Sequence, residues 1–175
     1  MRADAAPVSD VVSIELLLDA VSEAAVRADW ERLAAAGHSS LAAHTAPSNR
    51  PHVTLLVRRA LAPHPFEDAV ALLPLALTLG EPVVFRHGDR GVLARRVVPT
   101  DDLLRLHAAV HEAVPPGAGA PHTAPGAWTP HVMLARRLRR DALDDALRLL
   151  GPERTGTGVA LRRWDSAARE VTPIA

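Results

Sequence analysis

The residues best suited to chemistry occur in a short phrase that the chain uses twice. Pro51-His52-Val53-Thr54-Leu55 is followed by Arg58-Arg59, and Pro130-His131-Val132-Met133-Leu134 by Arg136-Arg137. The histidines are 131 − 52 = 79 residues apart, one in each half, which suggests two related halves rather than a solenoid of short repeats. A histidine titrates near neutrality and can take or give a proton. Two of them facing each other across one cleft could do both in a single displacement at phosphorus. One accepts a proton from the attacking oxygen, and the other donates one to the leaving oxygen. On a strand, side chains two apart share a face. His52 and Thr54 would therefore be presented together, with the hydroxyl free to hold a non-bridging phosphate oxygen. In the second copy Met133 stands at the hydroxyl position, and a thioether is a weak acceptor that cannot donate. A missing charge-assisted hydrogen bond costs on the order of 1.5–3 kcal/mol.

Arg58 and Arg137 each follow a histidine by six residues. An even offset puts both on the cleft face if the strands run straight, where they could hold flanking phosphates; a solvated strand end is the alternative. Trp128 could stack a base near the cleft mouth or pack a loop, and Phe85 has the same alternatives, with a place in the core favoured. His107 and His111 lie one helical turn apart, as metal ligands can. No convincing third ligand accompanies them, so no metal and no cofactor is expected. The remaining histidines fall in loops or turns. No Walker-type loop, Gly-x-Ser-x-Gly elbow or His-Glu-x-x-His motif is present.

The surrounding pattern supplies elements to position these groups. Residues 1–10 are expected to be a disordered lead-in, and 11–175 one bilobal domain. Residues 11–18 alternate like a strand, and Asp19 can cap a helix whose stripe is Val26, Trp30 and Leu33, ended near Gly37. A polar loop over 38–51 leads to the strand 52–58. A short helix over 66–73 closes at Pro74. Strand segments follow at 75–79 and 83–86, then a turn at 87–91 and a strand at 92–98. Thr100 can cap a helix with Leu103, Leu106 and Val110 as its stripe. After the second phrase come a helix over 141–150, a strand over 159–164 and a last strand within 168–174. Strand, helix, His-strand, helix, strand thus occurs twice. The fold class expected is α+β, with two pseudo-symmetric lobes of antiparallel strands lining a central cleft and helices outside.

Composition narrows the classes. Of 175 residues, 48% are hydrophobic and only 3% aromatic, so the core must be aliphatic. The 20 basic and 20 acidic side chains cancel, and every basic one other than histidine is arginine. Such a chain does not bind nucleic acid by overall charge, although a local basic groove is compatible with it. There is no cysteine, hence no disulfide or thiolate metal site. No apolar run is long enough to span a membrane, and no signal-peptide core is present at the start. A cytoplasmic location, no membrane partner and a monomer are the expectations.

His52-Val53-Thr54-Leu55 and His131-Val132-Met133-Leu134, set in duplicated surroundings, resemble the paired His-x-Thr/Ser-x motifs of the two-histidine (2H) phosphoesterases. The length, spacing and element order resemble the bacterial 2′-5′ RNA ligase or RNA 2′,3′-cyclic phosphodiesterase branch. The resemblance spans roughly residues 11–175. It implies a bilobal fold with a central cleft and a metal-independent opening of cyclic phosphates on RNA ends or nucleotides. It also implies the reverse joining of RNA ends through a 2′-5′ bond in some members. His52 and His131 become the acid–base pair, Thr54 a phosphate ligand, and Met133 a departure from the motif. A second reading of the same residues is a catalytically weak relative that binds RNA ends or cyclic nucleotides.

Overall fold

A computed structural model describes residues 10–175; the expected lead-in, but for Asp10, lies outside them. The elements in chain order are β1 (Val12–Leu18), α1 (Ala20–Ala35), β2 (His52–Arg58), α2 (Glu67–Val70), β3 (Leu75–His87), β4 (Arg90–Val97), α3 (Asp101–Glu112), β5 (His131–Arg139), α4 (Leu143–Arg148), β6 (Arg154–Asp165) and β7 (Glu170–Ile174). Every strand pairing is antiparallel, in the order β1-β2-β5-β4-β3-β6-β7 with a further β1–β6 ladder. The α+β class expected from the sequence is the observed one.

The repeat extends to the register. In the first half Leu17 pairs with His52, Leu16 with Val53 and Glu15 with Thr54. In the second, Arg96 pairs with His131, Arg95 with Val132 and Ala94 with Met133. Each position is displaced by the same 79 residues. Two ladders pair the halves with each other at that same interval: Val53 with Val132, and Leu77 with Gly156. The molecule is therefore two related groups of strands, β2-β1-β6 and β5-β4-β3. They join where β2 meets β5 and where the start of β3 meets the start of β6.

Local chemistry explains the helices. Asp19 caps α1 by accepting from the amides of Val21 (3.0 Å) and Ser22 (2.9 Å). Gly37, at φ +81°, takes the left-handed turn after the helix. Thr100 caps α3 by accepting from the Leu103 amide at 3.3 Å. Their stripes, Val26, Trp30 and Leu33 and then Leu103, Leu106 and Val110, are buried in one core with Ile14, Leu16, Val53, Leu55, Val132 and Leu134. Both helices lie on one face of the sheet. Asp29 of α1 also reaches Arg95 of β4, a fully buried ion pair at 3.0 Å.

Four elements differ from expectation. The helix expected over 66–73 is one turn, and that over 141–150 is a 3-10 turn at Arg140–Ala142 leading into the six residues of α4. The segments around Gly80 are one continuous strand with a register shift between Leu79 and Pro82. β6 starts at Arg154, earlier than expected, although its start is rich in glycine. Glycine suits these positions because side chains of α1 and of the neighbouring β1 come so close. A Cβ on Gly156 would lie 2.0 Å from Ser22 Oγ, and one on Gly158 2.9 Å from Leu16.

Candidate active site

His52 and His131 open the two strands that meet at Val53 and Val132. Val53 and Val132 turn to the buried, helix-covered side. Alternation then sends His52, Thr54, His131 and Met133 to the other face, where all four are half-buried. The histidines stand on adjacent strands, as diagonal neighbours whose Cβ atoms are roughly 7–8 Å apart in such a pair. Thr54 is beside His131, and Met133 beside His52.

Both imidazoles are oriented in the same way. His52 Nδ1 is 2.7 Å from the Arg50 carbonyl, and His131 Nδ1 is 2.7 Å from that of Thr129. Each Nδ1 must carry a hydrogen to donate, so each Nε2 is left for chemistry. Burial holds the pKa of His131 below the ordinary histidine value. The Thr129 carbonyl opposes that shift, and the charges of His122 and His52 add to it. Phe85 is not in the core as expected: its ring lies 4.7 Å from that of His131.

The registers continue each histidine into a row across the sheet. One row reads Arg162, Glu15, Thr54, His131, Arg96, and the next reads Leu17, His52, Met133, Ala94, Val83. Glu15 and Arg162 form a buried ion pair, with side chains 4% and 5% exposed and Oε2 accepting from Nε at 2.7 Å. Glu15 Oε1 accepts from Ser13 Oγ at 2.7 Å and lies 3.4 Å from His52 Nε2. Arg96, exposed, is the direct cross-strand neighbour of His131. Glu15, Arg162 and Arg96 were missed from sequence. The alternation of β4 could have placed Arg96 on the histidine face. Which strand lies beside which is not written in the local pattern.

Arg58 and Arg137 are not brought to this face as expected. Glu15 pairs with Thr54 but Ile14 with Leu56, so Leu55 is an extra residue and β2 reverses its alternation there. Arg58 ends on the helix side. A Cβ on Gly117 would meet its Cδ at 3.4 Å, and its charge is one of the influences lowering the pKa of His111. Leu134 is the matching bulge of β5. A second register shift follows at Arg137, which adopts φ +53° and is exposed. Even spacing fails as a guide because a bulge intervenes in each strand.

One face of Trp128 is already taken. It lies against His107 at 3.9 Å and 7°, and the indole Nε1 donates to the Thr54 carbonyl at 3.0 Å. His107 and His111 do not converge on a third ligand. Their Nε2 atoms donate to the carbonyls of Thr123 (2.8 Å) and Leu55 (3.1 Å). Among the described residues no three His, Cys, Asp or Glu side chains come together as a metal would require. No helix among them is long and apolar enough to cross a membrane. Met133 packs against the core, with Arg136 Nε 3.0 Å from its sulfur.

Residues 21–168 match the family described as the 2′-5′ RNA ligase superfamily. No curated protein matches the sequence at a significant level. Among solved structures the chain is similar to E. coli LigT complexed with NADP+, at 17% identity and a TM-score of 0.51, over 95% of each chain. It is also similar to Kluyveromyces marxianus Usb1 with uridine monophosphate, at 13% identity and a TM-score of 0.51, over 95% of this chain and 97% of that one. At such identities the likeness is one of fold.

Proposed function

The chain belongs to the 2′-5′ RNA ligase superfamily, and we propose that it opens 2′,3′-cyclic phosphates of RNA ends or nucleotides by paired-histidine acid–base catalysis. The family supports a phosphodiesterase-type activity. The observation that carries the finer reading is the pair of imidazoles on adjacent strands, each tied through Nδ1 to a carbonyl two residues upstream.

His131, held neutral by its surroundings, is the base. It takes a proton from water as the water oxygen bonds to phosphorus. The bond from phosphorus to the ribose 3′ oxygen breaks, and that oxygen receives a proton from His52, leaving a 2′-phosphate. Glu15, 3.4 Å from His52 Nε2, acts through His52 as a positioning residue. Thr54 and Arg96 flank His131 in one row and would hold the non-bridging oxygens. With an RNA 5′-hydroxyl in place of water, the same opening forms a 2′-5′ bond.

The test is hydrolysis of a 2′,3′-cyclic nucleotide in chelator, with the product identified as the 2′- or 3′-phosphate. His52→Ala and His131→Ala should each lower kcat/KM by about 10²–10⁴-fold. On an aryl phosphodiester, whose leaving group needs no proton, His52→Ala should recover most of its loss and His131→Ala should not. Equal turnover by wild type and His52→Ala would refute the assignment. Met133 favours a second reading, a weak catalyst that binds the same ligands. Tight binding with no turnover by wild type would establish it.

A further inference from the structure

Positions related by the 79-residue interval should match if the two lobes had the same task, and along β4 and β5 they do not. Alternation from Ala94 and Met133, corrected for the bulges at Leu134 and Arg137, leaves Arg90, Arg96, Arg136 and Arg139 on the face that carries the histidines. All four are exposed. Arg96 neighbours His131, Arg136 reaches the sulfur of Met133 at 3.0 Å, and Arg90 pairs with Arg139 at the far end. The corresponding positions of the other lobe are Val11, Leu17, Val57 and Ala60. At these four positions one lobe is thus basic and the other uncharged, in a chain whose formal net charge is zero.

The run has an order. Next to the histidine row come the apolar Met133 and Ala94, with Phe85 over His131. Arg136 follows, then Arg90 and Arg139. At about 3.3 Å per residue, Arg136 is roughly 15 Å and Arg139 roughly 25 Å along the strand from His131. Arg139 is paired with Asp141, and Arg90 donates to the Arg137 carbonyl at 3.3 Å. Among the described residues Arg96 and Arg136 have no acidic partner.

We propose that the exposed arginines of the β4–β5 ribbon, Arg136 with Arg90 and Arg139 beyond it, bind the backbone phosphates of an RNA strand whose cyclic end lies between His52 and His131. A terminal base would lie on the apolar interval, and the strand leaves over the second lobe. The substrate class is then an RNA chain rather than a free cyclic nucleotide. This rests on the phosphodiesterase reading for its chemistry but not for its binding.

The test compares a 2′,3′-cyclic mononucleotide with a short single-stranded oligoribonucleotide of the same cyclic end, in wild type and the R90Q/R136Q/R139Q variant. Wild type should prefer the oligonucleotide in kcat/KM by at least tenfold at low salt. Its advantage should fall by about 100-fold per tenfold rise in salt, as two to three phosphate contacts on a single strand imply. The variant should keep mononucleotide turnover within about twofold and lose both the preference and the salt slope. The corresponding triple lysine variant should retain them. Equal kcat/KM on both substrates in wild type, or an unchanged oligonucleotide preference in the glutamine variant, overturns the proposal. Anisotropy of a labelled oligonucleotide with a 3′-phosphate end separates the two readings. Salt-dependent, arginine-dependent binding without turnover keeps the track and removes the phosphodiesterase. Binding no tighter than that of a mononucleotide removes the track.

Discussion

His107 supplies a direct test of how the strand that carries His52 is supported from behind. It is 3% exposed, stacks on Trp128 and donates to the Thr123 carbonyl at 2.8 Å. Trp128 in turn holds the Thr54 carbonyl. Burial lowers the pKa of His107 from 6.5 to about 4, against the pull of the Thr123 carbonyl and with help from neighbouring His111. Above pH 6.5 the imidazole is neutral in both the folded and the unfolded chain, and its stabilising contribution is complete. As pH falls from 6.5 towards 4 the unfolded chain takes up a proton that the folded one refuses, so stability is lost. The gap corresponds to about 3 kcal/mol. His111 and His131 are displaced the same way, so the readout must be a difference. Urea unfolding of wild type and His107→Gln, measured from pH 7 to pH 4, should give a flatter pH dependence for the variant by about that amount. Its amide can still donate to Thr123. Parallel curves for the two proteins would refute the reasoning, whatever the variant's stability at pH 7.

Three further outcomes follow from the same geometry. With His131 as the proposed base and its pKa lowered, the acid limb of kcat/KM against pH should inflect below 6.5; an inflection above that value would reverse the proposed roles of the histidines. Met133→Thr restores a hydroxyl beside His52, and should raise kcat/KM on a cyclic nucleotide by about tenfold if the missing donor limits the rate; no gain would mean that another group serves that oxygen. Asp29 binds buried Arg95 at 3.0 Å and the Gly151 amide at 2.8 Å, so Asp29→Ala should destabilise by about 3–5 kcal/mol in urea. The double variant with Arg95→Leu copies Ala108 and Leu16, the matched residues of the other lobe, and should recover most of that loss.

The parts of the fold readable in the sequence are those fixed by local chemistry. Asp19 and Thr100 act as caps, Gly37 ends a helix, and the apolar stripes of α1 and α3 are buried as periodicity required. The repeated His-Val phrase located both strands of the candidate site. What failed depended on neighbours distant in sequence. Bulges at Leu55 and at Arg137 turned Arg58 and Arg137 away from their expected face, and a bulge is set by the partner strand's register. One face of Trp128 is taken by His107, on another element. Glu15 fell on one face of an alternating strand, with nothing in the local pattern to mark a role. Only the ladder from β1 to β6 shows that it meets Arg162 and turns to His52.

The same ladders change the meaning of Met133. Taken alone, a thioether where its counterpart Thr54 carries a hydroxyl suggests erosion, and erosion should strike matched positions without regard to one another. The pseudo-twofold relation exchanges the row Arg162, Glu15, Thr54, His131, Arg96 with the row Val83, Ala94, Met133, His52, Leu17. Every member of the first row can form hydrogen bonds or carry charge. In the second, only His52 can. Met133 is therefore one of four apolar residues in a row whose only polar side chain is the histidine. A phosphate between the imidazoles would meet hydroxyl and guanidinium on one side and an apolar surface suited to a base or ribose on the other. That division favours a site specialised in orienting an asymmetric substrate over one that has decayed.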